Sequence, residues 1–280
     1  MASLAKSITS LAIGIALEEG KIKSLDDRAD VYSPKLKGTL LGETTIRNLL
    51  RMASGVRYVE EYTGNDDAAR FSAAVSRVGI EEAAGTINVR EAAQGTSFSY
   101  NSALTSVLAV VLHGATGMTV SQYLTPRLWQ AIGAEKSALW RTDKTGLELA
   151  SGNFNATLRD YGRLGIVLAN DGVRPDDPLQ KQIIPREYLL DATDWHRAPP
   201  AFQPKKGAYG YGYQFWLLNG AKRRFAFLGV YGQMIFIDPE LKLVMVQTAA
   251  NSTAKAGKTS LGREADAFWR GVVSMYGPWQ

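Results

Sequence analysis

Ser3 and Lys6 stand three residues apart at the head of a strongly apolar stretch, and this pair is equipped for covalent chemistry. Three apart on a helix means one turn apart on one face, so a lysine amine can reach a serine hydroxyl. Serine is a weak nucleophile until a neighbouring group takes its proton. A serine three before a lysine is common by chance, so the pair needs support from its surroundings. Ile8, Leu11, Ala12, Ile13, Ile15, Ala16 and Leu17 make the segment apolar on nearly every face. That pattern predicts a helix buried inside the protein. Lys6 then puts a charge where burial is costly without a partner. Gly20 fits the position just past the helix end. Ser3, near the helix N-terminus, meets the positive end of the helix dipole, which favours a developing oxyanion.

Two further segments belong beside that helix. Phe98-Ser99-Tyr100-Asn101-Ser102 follows a turn signal at Gln94-Gly95-Thr96 and precedes a helical pattern of Leu104, Val107, Leu108, Val111 and Leu112. A tyrosine at such a junction can project into a cleft. Leu228 to Gln233, then Met234 to Asp238, a turn at Asp238-Pro239, and Leu243 to Gln247 read as strand, turn and strand. Gly229 and Gly232 there allow close approach of backbone to a ligand.

The order and spacing of these segments resemble the serine hydrolases of the class C β-lactamase and penicillin-binding-protein type. The similarity is greatest to the branch of 6-aminohexanoate-dimer (nylon-oligomer) hydrolases and family VIII esterases. It runs through Ser3 to Leu25, Thr45 to Tyr62, Phe98 to Gly117, Gly152 to Gly172 and Tyr209 to Gln247. The resemblance implies an α/β (α+β) fold: an antiparallel sheet flanked by helices, plus a mostly helical lobe. The α/β lobe is expected from 1–32 and 153–280, with the helical insert at 33–152. In such relatives, sheet strands precede the nucleophile helix. Here the helix begins at once, so upstream strands are expected to be missing and a sheet edge exposed.

The same resemblance implies roles. Ser3 is the expected acylated nucleophile, Lys6 its activator, and Tyr100 the proton shuttle to the leaving group. The backbone N–H groups of Ser3 and Val230 form the expected oxyanion hole. Tyr62, Ser102, Ser151, Trp216, Gly229 and Tyr231 are the expected substrate-binding residues. No cofactor is implied, and the substrate is a small ester or linear amide. Two departures turn the reading away from penicillins. The tyrosine motif ends in Ser102, with asparagine one place early. Phe227-Leu228-Gly229 stand where β-lactamases carry a cation, threonine and glycine. A carboxylesterase or amidase is therefore expected. A non-catalytic sensor module or inactive truncated homologue is one alternative, and a β-lactamase or DD-peptidase another.

Other chemistries lack their residues. There is no cysteine, hence no disulfide or thiolate metal site. Of two histidines, His113 falls in the apolar helix after Tyr100, at its core or edge, and His196 beside Trp195 in a loop. No G-x-S-x-G elbow and no H-E-x-x-H motif is present. Gly257-Lys258-Thr259 imitates the end of a phosphate loop without the first glycine, which would fall at Ser252. With 280 residues, 45% hydrophobic and 21% charged, the chain can bury a large core. The last helix, from Gly262 to Met275, is expected to pack on the sheet through Ala265, Phe268, Trp269, Val272 and Val273. The net charge is +5, and the basic clusters Lys205-Lys206 and Lys222-Arg223-Arg224 read as solvated loops with no nucleic-acid motif. No apolar run reaches the ~18 residues of a membrane span. A homodimer stays open, as does the choice between cytoplasm and periplasm.

Overall fold

Helix α1, Leu4–Glu18, is buried at every residue from Leu4 to Ala16. The computed structural model describes residues 3–255 and 260–279, and α1 lies at its heart because no face of this helix is polar enough to meet water. Gly20, at φ +67°, takes the left-handed turn that ends it. Five helices follow: α2 (Ile46–Leu50), α3 (Asp67–Val78), α4 (Ile80–Ala84), α5 (Ser102–Thr116) and α6 (Val120–Leu124). The hairpin of β1 (Leu139–Trp140) and β2 (Phe154–Asn155) comes next. Then come α7 (Leu158–Ala169) and α8 (Arg186–Thr193). An antiparallel five-stranded sheet runs in chain order: β3 (Gly210–Tyr211), β4 (Trp216–Leu217), β5 (Phe225–Gly229), β6 (Gln233–Asp238) and β7 (Leu243–Gln247). Helix α9 (Ser260–Tyr276) follows the sheet. This mixed architecture is the α/β class expected from the sequence.

Strand alternation divides the core in two. Phe225, Phe227, Ile235 and Ile237 face the main core with α1 and α5. Ala226, Met234 and Phe236, one residue out of phase, face a second core with Ala265, Trp269 and Val273 of α9. Trp269 stacks on Phe236 at 5.6 Å between ring centroids. Phe268, expected on the packed face, is instead 65% exposed. At helical spacing, neighbours 268 and 269 cannot share a face.

The sheet meets the helices at Gln214, in the turn between β3 and β4. It is buried and sits at φ +66°. Its backbone carbonyl accepts from Ser7 Oγ of α1 at 2.5 Å, and its Oε1 from Thr105 Oγ1 of α5 at 2.7 Å. Its Nε2 donates to the carbonyls of Leu49 and Leu50 in α2. One side chain and its own backbone thus tie three helices to the hairpin that carries Tyr211 and Trp216.

The basic cluster at 222–224 is not a solvated loop. Arg224 is 1% exposed and donates through Nε to Asp238 Oδ2 at 2.5 Å, and to the carbonyls of Pro278 and Trp279. Arg223 pairs with Asp171. Buried charge is held by paired charge, and the acceptors lie on β6, past α9 and after α7, out of reach of a local reading. Gly257-Lys258-Thr259 lies outside the described residues. Among the described residues, no single helix is long and apolar enough to cross a membrane.

Candidate active site

Ser3 precedes the first residue of α1, in helical conformation at φ −63°, and is half-buried. Lys6 is 2% exposed, one turn further in. Its Nζ donates to Ser3 Oγ at 3.0 Å and to the backbone carbonyl of Ser151 at 2.7 Å. The buried amine is therefore partnered on two sides, and one partner is the hydroxyl that the sequence spacing suggested. Nζ also lies 5.1 Å from the centroid of the Tyr100 ring. Ser3, Lys6 and Tyr100 are together, although Tyr100 stands before α5, far along the chain.

Tyr100 is placed by the start of α5. Asn101 takes an extended conformation and its side chain accepts from the Ala103 N–H at 2.9 Å, capping the helix. The residue before a cap stands outside the helix, so Tyr100 projects from the junction. Its ring stacks on Trp216 at 5.9 Å and 20°. Phe98 and Tyr211 close the other edges, at 6.4 Å each. Tyr211 is buried, and that burial, followed by its neighbours Tyr100, Glu60 and Tyr62, pushes its hydroxyl far up. Phe98 and Tyr211 were not among the expected site residues. The aromatic density of Tyr209 to Trp216 was the signal available in the sequence.

Tyr62 stands at φ +60° and is 40% exposed. Asp66 holds this backbone by accepting from the N–H groups of Glu61 and Tyr62, each at 2.7 Å. The Tyr62 hydroxyl donates to Glu60 Oε1 at 3.1 Å. Burial of the ring's polar end, then Tyr100 and Glu60, keeps it a neutral phenol. Glu60 also accepts from the Ser102 N–H at 2.8 Å and Ser102 Oγ at 2.6 Å. The Ser102 hydroxyl, expected to bind substrate, is thus already engaged. Ser151 approaches the centre through its main-chain carbonyl, not its side chain. Glu60 was missed, since a lone glutamate in a loop has no pattern to mark it.

Gly229 ends β5 against α1. A Cβ there would lie 2.7 Å from Leu4 Cδ1, so a larger residue would have to push that buried side chain aside. Val230 follows at once. Tyr231, at φ +65° and 43% exposed, is held by its N–H to the Ala254 carbonyl and by the Asn251 N–H to its own carbonyl. Phe227 is fully buried in the core, so its ring contributes nothing to the cleft. The two histidines stand apart from this centre: His113 is exposed and bonds the Met118 carbonyl, and His196 stacks on Trp195 and pairs with Asp194. Among the described residues, no group of three or more His, Asp or Glu could hold a metal ion.

Comparison with known proteins bears on this geometry. A family model described as beta-lactamase matches residues 1–266. The 6-aminohexanoate-dimer hydrolase of Paenarthrobacter ureafaciens is 24% identical over 257 residues, covering 89% of this chain and 65% of that protein. The chain thus spans just under two thirds of that curated relative's length. A solved Bacillus anthracis structure, provisionally named a 6-aminohexanoate-dimer hydrolase, is 29% identical with a TM-score of 0.84, over 99% of this chain and 74% of that one. A family VIII carboxylesterase shares the fold at 17% identity and a TM-score of 0.69, over 96% of this chain and 82% of that one.

Proposed function

The chain belongs to the beta-lactamase family, and from that premise we propose that it is a serine hydrolase cleaving small esters or linear amides through an acyl-enzyme on Ser3. The observation that carries this reading is Lys6 Nζ, buried and bonded at once to Ser3 Oγ and to the Ser151 carbonyl. The Lys6 amine takes the Ser3 proton along the same 3.0 Å line as the oxygen attacks the substrate carbonyl carbon. The oxyanion forms against the backbone N–H groups of Ser3 and Val230. Such donors are worth roughly 10²–10³ in rate each. Tyr100 passes a proton to the leaving alkoxide or amine, and the carbonyl–leaving-group bond breaks. Water then attacks the acyl carbonyl and gives its proton to the Tyr100 oxygen, the bond from that carbonyl to Ser3 Oγ breaks, and Ser3 takes its proton back from Lys6.

The buried Phe227 supports esters and linear amides over penicillins, because a neutral ring turned into the core offers no cation to a substrate carboxylate. Purified protein should release p-nitrophenol from p-nitrophenyl butyrate, and Ser3→Ala should lose that turnover. Nitrocefin should be a poor substrate. A Ser3→Ala variant as active as the wild type would overturn the reading. A wild type that acylates once and never turns over would make it a sensor.

A further inference from the structure

A cavity of about 450 Å³ opens two hydrogen bonds from the nucleophile. Ser151, whose carbonyl holds Lys6, lines it, and so does Ser102, two residues after Tyr100. Phe71, Val75 and Leu149 give it an apolar wall. Arg141 and Lys144 stand at its exposed side, and neither side chain has an ion-pair partner among the described residues. Two carboxylates also line the cavity, but both are already held. Asp143 accepts from the N–H groups of Ile80, Thr145 and Leu147 and from the Thr145 hydroxyl. Glu60 is bonded to Ser102 and Tyr62. A further polar group in the wall is Tyr58. It is only 8% exposed, and its hydroxyl is a buried polar atom with no hydrogen-bond partner. An unmade hydrogen bond of that kind costs free energy until a ligand or water supplies it. Burial, and then Glu60, Asp66 and Asp67, hold the Tyr58 hydroxyl in its protonated, donating form.

We propose that this cavity seats the acyl arm of the substrate and selects an acyl chain that ends in a carboxylate, with the chain along Phe71, Val75 and Leu149 and the anion met by Arg141 and Lys144. The inference rests on the serine-hydrolase reading and names its substrate class. The acyl arm stays bound through the covalent intermediate, so it needs a closed seat. The leaving group needs an exit, and Tyr62 and Tyr231, 40% and 43% exposed, are open to solvent. Exposed cations act on an anion through modest, salt-screened attraction.

Two p-nitrophenyl esters of equal acyl length test this: the half-ester of adipic acid, which is anionic, and the neutral hexanoate. At low salt the wild type should favour the half-ester in kcat/KM by roughly three- to tenfold, as two exposed ion contacts allow. The ratio should fall toward one in Arg141→Ala/Lys144→Ala and in 0.5 M NaCl. A ratio at or below one in the wild type, or one that the double substitution leaves unchanged, overturns the proposal. Calorimetry on Ser3→Ala adds a readout that needs no turnover: it should bind the half-ester more tightly than the hexanoate, and the added Arg141→Ala/Lys144→Ala change should remove the difference. If neither ester is turned over by the wild type, the hydrolase reading fails, while this binding comparison still decides for or against the anion seat.

Discussion

Lys6 and Tyr62 both stand near Tyr100, yet they are held in opposite ways. Lys6 rides on a helix buried from Leu4 to Ala16, and its amine has two partners on fixed backbone-supported elements. Tyr62 sits on a loop at a positive φ, is 40% exposed, and is held by carboxylates of its own neighbourhood, Glu60 and Asp66. The inner wall of the cleft is thus set by packing, and the rim by a few polar contacts. A packed core resists displacement. A rim held by single hydrogen bonds yields to the substrate at small cost. The inner wall suits chemistry that depends on sub-ångström placement, and the rim suits choice among substrates.

The sharpest way to break this contrast is to empty the inner wall. Lys6→Ala should lower kcat/KM for p-nitrophenyl butyrate by on the order of 10³ or more, as removal of a group acting in concert with a nucleophile does. A parallel thermal melt should show the variant still folded, so that the loss is read as lost chemistry. Tyr100→Phe keeps the ring stack on Trp216 and removes only the hydroxyl, so on the proposed proton-shuttle role the loss should be ~10²–10⁴, mainly in kcat. Gln214→Leu tests the scaffold behind that wall. It leaves the Leu49 and Leu50 carbonyls and the Thr105 hydroxyl without their partner, and should cost about 1–3 kcal/mol in urea unfolding. On the rim, Tyr62→Phe removes one hydrogen bond to Glu60. It should change kcat/KM by roughly two- to tenfold, in KM more than kcat. A Tyr62→Phe loss as large as that of Lys6→Ala would erase the distinction between the walls.

Acid offers a milder probe of the fold around the site. Asp160 is fully buried. Burial alone would raise its carboxyl, but the N–H groups of Glu135 and Lys136, the Thr157 hydroxyl and Arg163 outweigh it and hold the group below the ordinary range. Asp143 is held low in the same way by Thr145, Ile80 and Leu147. A carboxyl that titrates lower when folded stabilises the protein above its unfolded pKa, near 4. That stabilisation is lost as pH falls through the folded value. The melting temperature should therefore be flat from pH 7 to about 5 and fall below about 4. Asp160→Asn should be less stable at pH 7 and show a shallower fall.

What could be read from the chain was what lies within single elements. The spacing of Ser3 and Lys6, the all-apolar stretch to Leu17, the junction at Tyr100 and the strands around Asp238 depend on periods of two or of 3.6 residues, and the structure carries all four. What could not be read depends on contacts between distant positions. Lys6 meets the Ser151 carbonyl across 145 residues, and Thr105 meets Gln214 across 109. Backbone carbonyls have no letter in a sequence, so the hold of the Ser151 carbonyl on Lys6 could not be read. Arg224 looked like a surface charge because Asp238 lies on the next strand and Pro278 and Trp279 lie beyond α9. Ser102 was expected to be free for substrate, and only the fold brings Glu60 to it.

The most direct test of Ser3 as nucleophile is a mass measurement. Protein caught during turnover of p-nitrophenyl butyrate by an acid quench should carry one butyryl group, and peptide mapping should place it on the segment containing Ser3. The adduct should be absent from Ser3→Ala and should accumulate in Tyr100→Phe. A butyryl group on Ser102, Ser151 or any other residue, with turnover surviving in Ser3→Ala, would contradict the account.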